Sequence, residues 1–207
     1  MQRLVSCLGF LGLLACSALD DASGGTTTNG SGQQGTGQTA GQQGGGGSVS
    51  VSDPPSSDCT PNPSCAPEPL PSSGDLYTDC VARINQFRVG CLCLPALQRW
   101  VGGESCADQH AEYDSTRSPH AGFGDRICQP QSFAQNECPG WPSEDRVISG
   151  CLQQMWDEGP PPAGSCEGQC FQDHGHFINM SNPDYSEVAC GFFTTPDGDI
   201  WAVQNFR

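Results

Sequence analysis

Twelve cysteines fall between Cys59 and Cys190, and two more, Cys7 and Cys16, lie near the start of the chain. Twelve is an even number, and so many cysteines beyond a leader read as a framework of up to six disulfides, which needs an oxidising compartment. Their pairing does not follow from spacing. Cys91 and Cys93 are too close to be each other's natural partners, so each is expected to bond elsewhere. Cys59 and Cys65 either close a small loop or staple the segment before residue 75 onto the domain.

The leader points to the same compartment. Met1-Gln2-Arg3 is a short positive region, and Leu4 to Leu14 is an apolar run too short to span a bilayer. Leu13-Leu14-Ala15-Cys16 looks like the lipobox of a bacterial lipoprotein, cleaved before Cys16, which then carries lipid. Ser17 after it favours the outer membrane or cell surface. An ordinary secretory signal, giving a secreted protein, is the alternative. Residues 1–15 thus read as signal peptide. Residues 16–48, rich in Gly, Gln, Ser and Thr, read as a lipid-anchored flexible linker that cannot bury a core, and residues 49–74 as a Pro/Ser-rich neck. Linker and neck together would span about 40 Å as a coil.

Charge removes several function classes. The chain has 8 basic residues, all arginine, against 23 acidic ones, for a net charge of -15. Without lysine there is no Schiff-base or P-loop chemistry. So acidic a chain is repelled by phosphate backbones and anionic headgroups. Nucleic acid is therefore not an expected partner, and the membrane is met only through lipidated Cys16.

Residues 75–207 suffice for one domain. Leu76, Cys80, Ile84 and Phe87 recur at helical spacing, with Gly90 where a terminating glycine belongs. Residues 105–114 predict a weaker helix, with Cys106, Ala107, His110, Ala111 and Tyr113 on one face. Residues 144–158 predict the clearest one, capped by Ser143 and ended by Gly159-Pro160-Pro161-Pro162. Three strands are expected after it: His174 to Met180, Val188 to Thr194 and Ile200 to Phe206, the last two joined by a turn at Pro196-Asp197-Gly198. Helices first and strands last predict an α+β layered domain.

The chain has four histidines: His110, His120, His174 and His176. In a strand, His174 and His176 would share a face. Cys166, Cys170, His174 and His176 offer zinc-ligand types, but their spacing fits no standard finger and the compartment favours disulfides. Neither Gly-x-Ser-x-Gly nor His-Glu-x-x-His occurs. His110 reads as packing or surface.

"GHFINMSNPDYSEVACGFF", from Gly175, resembles the Gly-His-Tyr-Thr-Gln signature of the CAP superfamily of cysteine-rich secretory proteins, antigen 5 and pathogenesis-related proteins. "INQFR" with "CLPAL", "CADQHAEYD", "SPHAGFG", "AQNEC", "MWDEG" and "WAVQNF" resemble its other parts, in order. The resemblance covers residues 75–207. It implies a three-layer α/β/α sandwich with a mainly antiparallel central sheet and a cleft holding two histidines and two acids, which in some members bind zinc or another divalent cation.

Carried onto this sequence, the histidines are His120 and His176, and one acid is Glu158. Gln135 stands where the second acid belongs, with Glu137 two residues on. Asn179 takes the motif's polar fifth position. A neutral amide in place of an acid implies weak metal binding at His120 and His176. The leading functional expectation is a surface or secreted binding module for a small amphipathic, lipid, envelope or protein ligand. One alternative is a metal-dependent hydrolase with Glu158 as general base on water held by His120 and His176. The other is a purely structural, disulfide-stapled surface protein.

Cys16→Ser is expected to release the protein from the membrane fraction. A variant that stays membrane-bound, or a mature terminus beyond residue 16, would remove the lipoprotein reading.

Overall fold

The computed structural model describes residues 58–129 and 131–207. The expectations for the signal peptide, Cys16 and the linker concern residues outside these ranges. Among the described residues, no helix is long and apolar enough to cross a membrane.

Helix α1 (Leu76–Asn85) starts on Asp75, whose carboxylate accepts the Tyr77 and Thr78 amides. The helix does not stop at Gly90 as the sequence suggests. It widens into π-helical turns over Gln86–Cys91, and the break falls at Leu92. Helix α2 (Val101–Ser115) is longer than expected, because Val101–Glu104 precede its apolar face. Helix α4 (Glu144–Arg146) begins on Ser143, which accepts the Arg146 amide. π-helical turns (Val147–Cys151) and α5 (Leu152–Asp157) carry it on to Gly159, whose positive φ of 66° ends it.

The sheet has strand order β1-β3-β4-β2. Strands β3 (Glu187–Thr194) and β4 (Ile200–Phe206) form the expected hairpin, closed by Gly198, whose amide donates to Thr195 O at 2.9 Å. Strand β2 (Ala134–Trp141) adds antiparallel to β4 at one edge, and the two-residue β1 (Gln98–Arg99) adds parallel to β3 at the other.

Side chains alternate across these strands, so the sheet has two cores. Ala189 and Val203 pack with Trp100, Ala107 and Ala111 under α2. Val188, Cys190, Ala202 and Phe206 pack with Ile84, Phe87, Leu152, Trp156, Phe177 and Met180 on the other face. The result is the α+β, three-layer arrangement expected. Gly191 sets how closely α2 approaches: a Cβ there would sit 2.1 Å from the Ala107 backbone.

One of the three strand expectations fails. His174 to Met180 is not a strand but part of α6 (Gln169–Ser181), which buries Gly175, Phe177, Asn179 and Met180 at helical spacing. In a helix, residues two apart point about 200° away from each other. His174 and His176 therefore do not share a face.

All twelve cysteines in the described residues pair. Cys80–Cys190 ties α1 to β3, Cys106–Cys128 ties α2 to the loop beyond α3 (Ala121–Asp125), and Cys138–Cys151 ties β2 to the turn before α5. Cys166–Cys170 brackets the start of α6. Cys91 and Cys93 bond Cys65 and Cys59, so the neck is stapled to the domain rather than closed on itself. Trp156 Nε1 donates to Cys65 O at 2.8 Å, and Arg83 to Pro67 O at 2.6 Å, which seats the neck further.

Alkylating the unreduced protein is expected to label none of these twelve cysteines. Replacing the Cys80–Cys190 pair by serines is expected to cost about 2–5 kcal/mol in chemical denaturation. A stoichiometric free thiol would contradict the pairing.

Candidate functional site

The site forms around β2, an edge strand whose two faces meet different helices. Gln135 and Glu137 point toward α2 and the loop that carries His120, while Asn136 points toward α6. Asn136 Nδ2 donates to His176 O at 3.0 Å. Asn179, also on α6, donates to Asn136 Oδ1 at 2.9 Å and to Gln135 O at 3.3 Å. Asn179 thereby fastens α6 to β2.

His120 has φ of 66°, a left-handed conformation unusual for a residue with a side chain. Two buried acids hold it there. Its amide donates to Glu137 Oε2 at 2.6 Å, and the Gly122 amide donates to Asp114 Oδ1 at 2.6 Å. The other oxygens of these carboxyls, Glu137 Oε1 and Asp114 Oδ2, are buried and have no other partner. One proton shared between the two carboxyls satisfies both. Burial, with Asp114 beside it, pushes the Glu137 carboxyl up to about 8. Burial raises Asp114 as well, opposed by the Gly122 amide. Glu137 is therefore the residue that carries the proton. Asp114 was not singled out from sequence, because an acid near a helix end reads as surface.

The His120 ring stands at the mouth of this arrangement, its side chain 43% exposed, with Nδ1 2.8 Å from Gln135 Oε1. Gln135 is buried and meets Asn205 Oδ1 at 3.1 Å and His110 Nδ1 at 3.0 Å. Gln135 thus contacts the His120 ring, and Glu137 contacts the His120 amide with an oxygen that lies 3.8 Å from the same ring nitrogen.

On the other side of β2, Glu158 follows α5 and meets α6. Its Oε2 accepts the amides of His176 at 2.9 Å and Phe177 at 3.3 Å, and its Oε1 pairs with His176 Nδ1. His174 turns away: its Nδ1 faces the carbonyls of Glu158 and Gly159 at 2.8 and 3.0 Å, a structural contact that fixes the end of α5.

Among the described residues, one group of three His, Cys, Asp or Glu ligand atoms lies within 4.8 Å of one another: Cys106, His110 and Cys128. Its two sulfurs are bonded to each other. A groove of about 420 Å³ lies between neck residues Pro69–Gly74, α1 and α4, and its lining includes none of His120, Gln135, Glu137, Glu158, His176 and Asn179.

The sequence matches no protein-family model and no curated protein. The chain is similar to the solved structure of BmVAL-1, at 18% identity and a TM-score of 0.47, over 69% of this chain and 80% of that one.

The shared proton makes stability depend on pH. A glutamate loses its proton near pH 4.5 when unfolded but near 8 in the fold. The folded state therefore keeps a proton that the unfolded chain has released. This contribution is complete below pH 4.5 and is lost as pH rises toward 8. Glu137→Gln, neutral and able to donate to Asp114, is expected to match wild type at pH 5 and exceed it at pH 8.5 in denaturation midpoint. Parallel pH profiles would place the proton elsewhere.

Proposed function

We propose that this chain is an exported CAP-superfamily domain acting as a binding module, with its ligand taken over the edge strand β2 between His120 and His176. The observation that carries this reading is the state of the two imidazoles. Each has Nδ1 occupied by an oxygen acceptor, Gln135 for His120 and Glu158 for His176, and each side chain is partly exposed, at 43% and 32%. Where Nδ1 donates to that oxygen, Nε2 is left as a lone pair, the arrangement of a histidine ready to bind a cation or accept a hydrogen bond.

The ordered motifs support the superfamily reading with physical roles. Asn85 and Leu97 exchange two hydrogen bonds at 2.8 and 2.9 Å, which fixes the loop after α1. Arg88, three residues on, ties that loop to the end of α6. Six disulfides and the leader support export, and lipid on Cys16 would place the domain at a bacterial surface.

Zinc or another divalent cation fits the donor chemistry in part. His120 and His176 would supply two neutral nitrogen ligands, and a bound cation would offer a positive centre to an anionic or carbonyl group of a ligand. Among the described residues, no group of three closely spaced ligand atoms includes His120 or His176. The hydrolase reading is the less supported one. Both Glu158 oxygens are already engaged by α6, leaving no free carboxylate to act as general base.

Calorimetry with zinc is expected to show weak binding that His176→Ala abolishes and His174→Ala leaves nearly unchanged. Equal losses would contradict the assignment of His176. No binding by wild type would remove the cation and leave the cleft to an organic ligand.

A further inference from the structure

Behind His120 runs a chain of buried polar groups: His120 Nδ1, Gln135 Oε1, Gln135 Nε2, His110 Nδ1, His110 Nε2 and the Cys106–Cys128 disulfide. The distances are 2.8 Å from His120 to Gln135, 3.0 Å from Gln135 to His110, and 3.3 Å from His110 Nε2 to Cys128 Sγ. The second sulfur, Cys106 Sγ, lies 3.9 Å from the same nitrogen. Asn205 joins at the middle, with Nδ2 3.3 Å from His110 Nδ1 and Oδ1 3.1 Å from Gln135 Nε2. Burial holds the His110 ring below the usual imidazole range, so it is neutral and carries one proton.

Taken without its end, this chain has two self-consistent proton arrangements. In one, both amides donate to His110 Nδ1, His110 carries its proton on Nε2, and Gln135 turns its oxygen to His120. In the other, both amides are reversed, His110 carries its proton on Nδ1, and Gln135 turns its nitrogen to His120. The second would force His120 to accept at Nδ1 and carry its own proton on Nε2, which blocks that atom as a ligand.

The disulfide decides between them. A disulfide sulfur has lone pairs and no proton, so it can accept from His110 Nε2 but cannot donate to it. Only the first arrangement puts a donor against the sulfur. We propose that His110, held by the Cys106–Cys128 disulfide and Asn205, is a positioning residue that acts through Gln135 to fix His120 as its Nδ1-protonated tautomer, with Nε2 open. Gln135 is then not a weak stand-in for an acidic ligand but a directional link. Only the functional consequence rests on the binding reading above; the tautomer itself does not.

The test is nitrogen-detected NMR of histidine-labelled, metal-free, oxidised protein in the neutral imidazole form, with the His120 signals assigned by their loss in His120→Gln. The expected spectrum shows His120 protonated at Nδ1 and His110 protonated at Nε2. The opposite pair of tautomers would overturn the proposal. Gln135→Met, which can neither donate nor accept strongly, is expected to return His120 to a mixture of tautomers. Gln135→Glu, an acceptor only, is expected to restore the wild-type tautomer. An unchanged His120 signal in Gln135→Met would also overturn it. If zinc binds, Gln135→Met should weaken it about 10–100-fold and Gln135→Glu should recover it. If zinc does not bind, the tautomer result stands separately from the failed binding reading.

Discussion

The His176 half of the site depends on how α6 is held, and the anchor is a buried guanidinium. Arg88 is fully buried and has no carboxylate partner among the described residues. It donates to Met180 O at 2.8 Å and Asn182 O at 2.9 Å, the carbonyls at the end of α6, and to Pro95 O at 3.2 Å. The end of a helix is partly negative, so a cation is well placed there. Burial brings Arg88 down to about 10, still far above neutrality, so the charge persists and these carbonyls must satisfy it. Glu158 grips the middle of the same helix through two amides. Between these contacts, α6 has little freedom to move His176.

The two histidines are served by different layers of the sandwich. His120 belongs to the α2 side and is fixed by Asp114, Glu137 and Gln135. His176 belongs to the opposite side and is fixed by Glu158. Strand β2 lies between them because it is the edge of the sheet, and its alternation sends Gln135 and Glu137 one way and Asn136 the other. A more central strand would have helices packed over both faces and no room for exposed rings.

Parts of this were legible in the sequence, for identifiable reasons. The apolar spacing of α1 and the capped, fully striped helix after Ser143 were plain. So was the β3–β4 turn, where glycine takes a positive φ of 95°. Helix α6 was misread because "HGHFINM" places apolar residues where either period can fit, and the polar first turn, Gln169–Asp173, looked like loop. Strand β2 showed no hydrophobic alternation, since its buried residues Gln135, Asn136 and Glu137 are polar on both faces. His120, His176 and Glu158 came from a motif resemblance, whereas Asp114, His110 and Asn205 had no local signal. Their roles exist only once α2, β2 and β4 are adjacent.

The staple between Cys59 and Cys93 has a mechanical consequence. It closes a covalent ring with a sequence separation of 34 that contains the whole of α1 and, in the π-helical turns after it, Arg88. A tensile load arriving from upstream of Cys59 enters this ring along both of its arms. Cys80, inside the ring, is bonded to Cys190, so the pull passes from α1 straight into β3, and the intervening segment with β2, His120 and His176 is bypassed.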